Sequence, residues 1–227
     1  MYQGILFTDT VSPIRFTNVP LSLSKKILNS LCSHENSPGY FLQHQQEMFV
    51  NDHQKSNNLP ASKQKNPCIV YTDGSFASSV IGTSAILQLN QQTICVRKRI
   101  VKTSSHGAFL AEMMAIESAL ALIHNGSHVI IRTDSINAIA VIKAIQSKTI
   151  LNSKLFWVLV DEAPDLLKSL YHLLSRVSVT LEKVTAHSDN IWNNLADRQA
   201  KAATKQADGF LVSCLNDVAE MELKKSA

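Results

Sequence analysis

The rhythm of apolar and polar positions divides this chain into three parts. Across residues 1–66 no period is sustained beyond a short amphipathic stretch, Leu21 to Cys32, which predicts a brief helix. From Ser33 to Pro67 the chain is rich in Ser, Asn, Gln, His and Lys. Such a segment buries little apolar surface, so residues 1–66 are expected to be a polar, poorly ordered arm or linker. From Pro67 the pattern tightens. Ile69 to Thr72, Ser79 to Leu89 and Thr93 to Val101 read as strands, with Asn90-Gln91-Gln92 as the tight turn of an antiparallel meander. Ala108 to His124 follows as a long helix, preceded by Ser104 and Ser105 and stopped by Asn125-Gly126. A strand from His128 leads to Asp134, and Ser135 to Gln146 has helical spacing. Ser153 to Ser175 is also helical but interrupted near Pro164, whose ring and missing N–H break the ladder. Val177 to Val184 is a β-branched fifth strand, and Asn190 to Ala207 is the last helix. The expectation is an α/β domain over residues 67–207 with a mixed five-stranded sheet, three antiparallel strands then two parallel, flanked by helices. Residues 208–227 are expected to be a short, partly helical tail.

Composition narrows this picture. A chain of 227 residues that is 45% hydrophobic can fill the core of one domain with extensions. No run approaches the roughly 18 apolar residues of a membrane span, and the amino terminus lacks the order of a signal peptide. An intracellular protein without membrane contact is expected. Cys32, Cys68, Cys95 and Cys214 stand far apart with no Cys-x-x-Cys pair, which favours reduced thiols over a disulfide framework. His34, His44 and His53 lie near Cys32 but fit no common zinc spacing. The formal net charge of +4 permits a polyanionic partner without demanding one.

The candidate chemistry is acidic. The apolar run beginning at Ile69 stops on Asp73-Gly74-Ser75, and the run from His128 stops on Thr133-Asp134-Ser135. Two strands therefore deliver carboxylates to their carboxyl ends, where ligands bind in open α/β sheets. Glu112 shares a helical stripe with Ile116, Ala119, Leu120 and Ile123, the stripe that should face the sheet. A charge there is costly unless it is partnered by a cation or by donor groups. The stretch from His187 brings a polar turn into a helix carrying Asp197 at the edge of its apolar face. Taken singly, Asp73 suits a turn, Asp134 a helix cap and Asp197 a solvated helix surface. The two strand-end acids, the acid on a core-facing stripe and the His-bearing turn must, however, be explained together.

In their order these motifs resemble the type 1 ribonuclease H family. Its Asp-Gly-Ser strand end is similar to Asp73-Gly74-Ser75, its Ala-Glu-x-x-Ala-Ile helix to Ala111 through Ile116, and its Thr-Asp-Ser to Thr133-Asp134-Ser135. The closing His-to-Asp pattern resembles His187 through Asp197, with Asp189 and Trp192 in place of two glycines and Asn194 where Glu is frequent. The variant from Trp192 to Asp197 is similar to ribonuclease H domains of fungal non-LTR retroelements. The resemblance implies endonucleolytic cleavage of the RNA strand of RNA/DNA hybrids with two Mg²⁺ ions, Mn²⁺ being a substitute. It casts Asp73 as the bridging ligand, Glu112 and Asp134 as ligands of one ion, Asp197 as ligand of the other, and His187 as a proton shuttle or product-release residue. Gly74, Ser75 and Ser135 are the expected substrate contacts. A monomer is expected, with a reverse transcriptase domain as the partner in a parent element. A catalytically silent binding module and a DNA-directed metal nuclease of the same fold are the alternatives. Substrate grip is not evident: Arg97-Lys98-Arg99 suits a solubilising edge as well as a phosphate contact, and Trp157 and Trp192 have core spacing.

Overall fold

The computed structural model describes residues 2–6, 14–19, 67–89, 92–147, 149, 154–186 and 190–215. Strands β1 (Tyr2–Leu6), β2 (Ile14–Val19), β3 (Cys68–Ala77), β4 (Val80–Leu89), β5 (Gln92–Val101), β6 (His128–Thr133), β7 (Ser178–Lys183) and β8 (Gly209–Cys214) form one sheet in the order β1-β2-β8-β5-β4-β3-β6-β7. The described helices are α1 (Gly107–Leu120), α2 (Ile136–Ser147), α3 (Lys154–Glu162), α4 (Pro164–Arg176) and α5 (Ile191–Ala203).

The five expected strands are present in the expected sense. β3 pairs antiparallel with β4 from Ile69↔Gln88 to Ala77↔Val80, and β4 pairs antiparallel with β5 from Val80↔Val101 to Leu89↔Gln92. β6 joins β3 in parallel, and β7 joins β6 in parallel. β3 is longer than its apolar run, because β4 continues to pair with it beyond Asp73. Asp73 therefore sits within a strand and not at its end. The two strands turn through Ser78 (φ 50°) and Ser79 (φ 62°), the left-handed backbone of a two-residue hairpin.

The sheet is larger than expected by three strands. Gly209–Cys214, anticipated as partly helical tail, is β8, antiparallel to β5 and parallel to β2. Its Phe210 and Val212 join the buried core, which accounts for a strand in place of a helix. Within the expected arm, Tyr2–Leu6 and Ile14–Val19 are strands. The Leu21 to Cys32 stretch and the polar segment after it lie outside the described residues, as does the Asn90-Gln91 connection.

The described helices cover the two faces unequally. Val70, Ala85, Leu87 and Val96 pack with Leu110, Met113, Ile116 and Leu120 of α1 and with Leu159 and Leu170 of α3 and α4. Full burial of such side chains contributes roughly 1.5–3 kcal/mol each. Pro164 opens α4 just after α3 ends, the interruption its position predicts. On the other face, among the described residues, Leu195 and Ala196 of α5 cover Tyr71, Ile86 and Cys95 together with Leu215. A Cβ at Gly82 would lie 2.3 Å from the Ala200 carbonyl oxygen, so Gly82 is where α5 crosses β4.

Candidate metal centre

Strand alternation puts Asp73 on the same face as Tyr71 and turns Gly74 toward α1. A Cβ on Gly74 would lie 2.3 Å from the Ala111 carbonyl carbon and 2.4 Å from the Glu112 nitrogen. Only glycine lets α1 come this near, and that approach carries Glu112 to Asp73.

Carboxylate oxygens of Asp73, Glu112 and Asp134 lie within 4.8 Å of one another. Among the described residues this is the one group of three His, Cys, Asp or Glu side chains so placed. Asp73 is 7% exposed, and its Oδ1 accepts the Gly74 N–H at 2.8 Å. Glu112 Oε2 is buried with no hydrogen-bond partner. Burial, reinforced by the Asp134 charge, raises the Asp73 carboxyl to about 7. Burial and the neighbouring Asp73 raise Glu112 to about 9. The two groups share this environment, and for each the direction is upward because charge is being withheld from water and crowded by like charge.

Asp134 follows β6 directly. The cap of α2 is Ser135, whose Oγ accepts the Ala138 N–H at 3.3 Å, while the Ser135 N–H donates to Thr133 Oγ1 at 3.2 Å. Asp134 is left to the cluster. Asp197 lies outside the 4.8 Å group and receives Lys201 Nζ at 2.8 Å, although its charge also acts on Asp73. The sequence reading overlooked Lys201, which its position four residues beyond Asp197 makes legible. Asn190 fixes the start of α5, its Oδ1 accepting the Trp192 and Asn193 N–H groups at 3.1 Å. His187 lies outside the described residues, and Ser75 is half-buried in β3 opposite Gly82.

Two expectations about grip are corrected. Trp157 is 52% exposed on α3 and not core, whereas Trp192 does pack against the α5 core. Arg97-Lys98-Arg99 is not a sheet edge, since β8 pairs along it. Lys98 stacks over Phe210, Arg99 pairs with Asp208, and Arg97 Nε is buried. On the face beside α5, Arg132 links β6 to its neighbours, donating to Glu182 Oε2 at 2.8 Å and to the Tyr71 hydroxyl at 2.7 Å.

The donor set suits a hard divalent cation. It is all oxygen, it converges, and it contains a buried acceptor without a donor, the arrangement that Mg²⁺ or Mn²⁺ would complete. No helix among the described residues is long and apolar enough to cross a membrane.

Comparison with known proteins gives one family match. The model of the RNase H family matches residues 65–205. A search of curated proteins returned no match. Among solved structures, RNase H1 from the halophilic archaeon Halobacterium salinarum is similar at 17% identity and TM-score 0.42, covering 63% of this chain and all of that one. LC9-RNase H1, described as a type 1 RNase H with the type 2 active-site motif, is similar at 17% identity and TM-score 0.47, over 66% of this chain and 79% of that one. Prototype foamy virus protease-reverse transcriptase is similar at 21% identity and TM-score 0.45, over 68% of this chain and 23% of that longer one.

Proposed function

The chain belongs to the RNase H family, and on that footing we propose that it cleaves the RNA strand of RNA/DNA hybrids in a reaction dependent on divalent metal. The observation that carries this reading is the convergence of Asp73, Glu112 and Asp134 around the unpartnered Glu112 Oε2. Asp73, Glu112 and Asp134 would hold one Mg²⁺, and Asp73 with Asp197 a second. When bound, such ions lower the pKa of an attacking water and neutralise charge developing on the phosphate.

The chain's own residues then have separable tasks. Burial and mutual repulsion favour the protonated forms of Asp73 and Glu112, so a metal held there would displace protons on binding. Asp197, paired with Lys201 in this structure, would hold the second ion by exchanging that pairing for the metal. His187 serves proton transfer or product release, tasks that an imidazole, able to give and take protons, can perform. Ser75 and the Ser135 hydroxyl present hydrogen-bonding groups beside the cluster, and the Gly74 N–H keeps Asp73 oriented. Discrimination for RNA rests on its 2′-hydroxyls, which DNA lacks. The Trp192 to Asp197 pattern supports a retroelement origin, with a reverse transcriptase domain as the natural partner.

A substrate panel tests this reading. With Mg²⁺, the RNA/DNA hybrid should be cut at least about 10⁴-fold faster than duplex DNA, the discrimination reached where a site hydrogen-bonds a hydroxyl. Equal cutting of duplex DNA would identify a DNA-directed nuclease, and hybrid binding without cleavage a silent module.

A further inference from the structure

We propose that Glu162, at the end of α3, is a positioning residue for Glu112, acting through the loop that starts α1; the inference rests on the metal-centre reading above. α1 begins without help from its own side chains: the residue before it, His106, makes no capping hydrogen bond, and its first turn contains no acid. What holds that turn is a carboxylate from a distant element. Glu162 Oε1 lies 2.8 Å from His106 Nδ1, and Glu162 Oε2 accepts the Ser104 hydroxyl. Ser104 Oγ in turn accepts the His106 N–H at 2.9 Å, and Lys102 Nζ donates to the Glu162 carbonyl at 2.6 Å. Side chain and main chain of one residue thus fasten the whole connection between β5 and α1.

The position of Glu162 gives this fastening a stiff anchor. It is the last residue of α3, and α4 starts two residues later at Pro164 after the buried Ala163. Across α1, Gly74 leaves no slack between the β3 backbone and the helix at Ala111 and Glu112. Contact at Gly74 fixes how near α1 lies to the strand, and the Glu162 contacts fix where its first turn sits along and around the helix axis. A helix carries such a constraint rigidly over the six residues from His106 to Glu112. The buried Glu112 carboxylate, whose Oε2 has no hydrogen-bond partner, depends on that constraint to meet Asp73 and Asp134.

Mn²⁺ binding by the full chain, measured by calorimetry without nucleic acid, tests the proposal alongside kcat and KM on a hybrid. Glu162→Ala should weaken Mn²⁺ binding about tenfold, as loss of partners that orient metal ligands does. kcat should fall with it while KM for the hybrid stays within about twofold. Glu162→Gln, which keeps an acceptor for Ser104, should recover most of the loss. Ser169→Ala is the control: it removes a 2.9 Å hydrogen bond to Glu117 on the same helix without touching the loop that starts α1, and should leave Mn²⁺ affinity unchanged. If Glu162→Ala does not fold, Ser104→Ala, which removes one contact to the same carboxylate, takes its place. Unchanged Mn²⁺ affinity in the folded variant, or equal weakening by Ser169→Ala, overturns the proposal alone. No Mn²⁺ binding by the wild-type chain overturns the metal-centre reading and the proposal together.

Discussion

Glu112 and Asp73 are the residues at which folding and function pull in opposite directions. Each is buried beside the other's charge, and each is driven toward its protonated form. In the unfolded chain the same groups ionise in the ordinary carboxylate range, about 4 to 4.5. Between that range and the folded values the native state holds protons that the unfolded state has released. Stability of the metal-free protein must therefore fall as pH rises, up to about 7 on account of Asp73 and about 9 on account of Glu112. Urea denaturation in EDTA from pH about 5 to about 9 should show this decline, and saturating Mg²⁺ should flatten it. Glu112→Gln should lose most of the slope and exceed the wild type in metal-free stability at pH 8 by at least about 1 kcal/mol. At this scale the sequence was informative where a motif ties an acid to a definite element, as for Asp73, Glu112 and Asp134. It was silent on Glu162, because a separation of 50 positions between Glu112 and Glu162 forms no local pattern that would pair them.

At the scale of elements, the site depends on how closely α1 and α5 can approach the sheet. Gly74 is the contact for α1 and Gly82 the contact for α5, and each would place a Cβ against helix backbone that cannot move aside as a side chain can. Gly74→Ala is expected to destabilise by about 1–3 kcal/mol, the usual effect of overpacking, and to displace Glu112 from Asp73. Its cleavage rate should fall further than that of an equally destabilised core variant such as Ile142→Val, measured at a temperature where each is folded. Helix and strand types were legible from period alone, and so was the break at Pro164. Boundaries were less so: β3 runs past its apolar stretch because β4 supplies backbone partners as far as Ala77, a fact of pairing that no window of β3 contains.

At the scale of the whole molecule, the sheet is closed on one side by pieces from the two ends of the sequence. β8 lies between β5 and β2, and β2 pairs with β1, so residues from the first twenty and the last twenty complete one edge. This was hidden because β8 is only six residues long and its partners are more than a hundred residues away. Removing residues 209–227 takes Phe210 and Val212 from the core and leaves one edge of β5 unpaired, its other edge still held by β4. The truncated chain should lose roughly 3–6 kcal/mol of stability by denaturation and associate through the opened edge. Such a chain need not lose the carboxylate cluster, whose residues come from β3, α1 and the end of β6. The central claim concerns that cluster and is tested most directly by cleavage of a labelled RNA/DNA hybrid with and without Mg²⁺, using the wild type and Asp73→Asn. Mg²⁺-dependent cutting of the RNA strand by the wild type, reduced at least about 10³-fold in a folded Asp73→Asn variant, is the expected result. Cutting that persists in EDTA, or that Asp73→Asn retains, would contradict it.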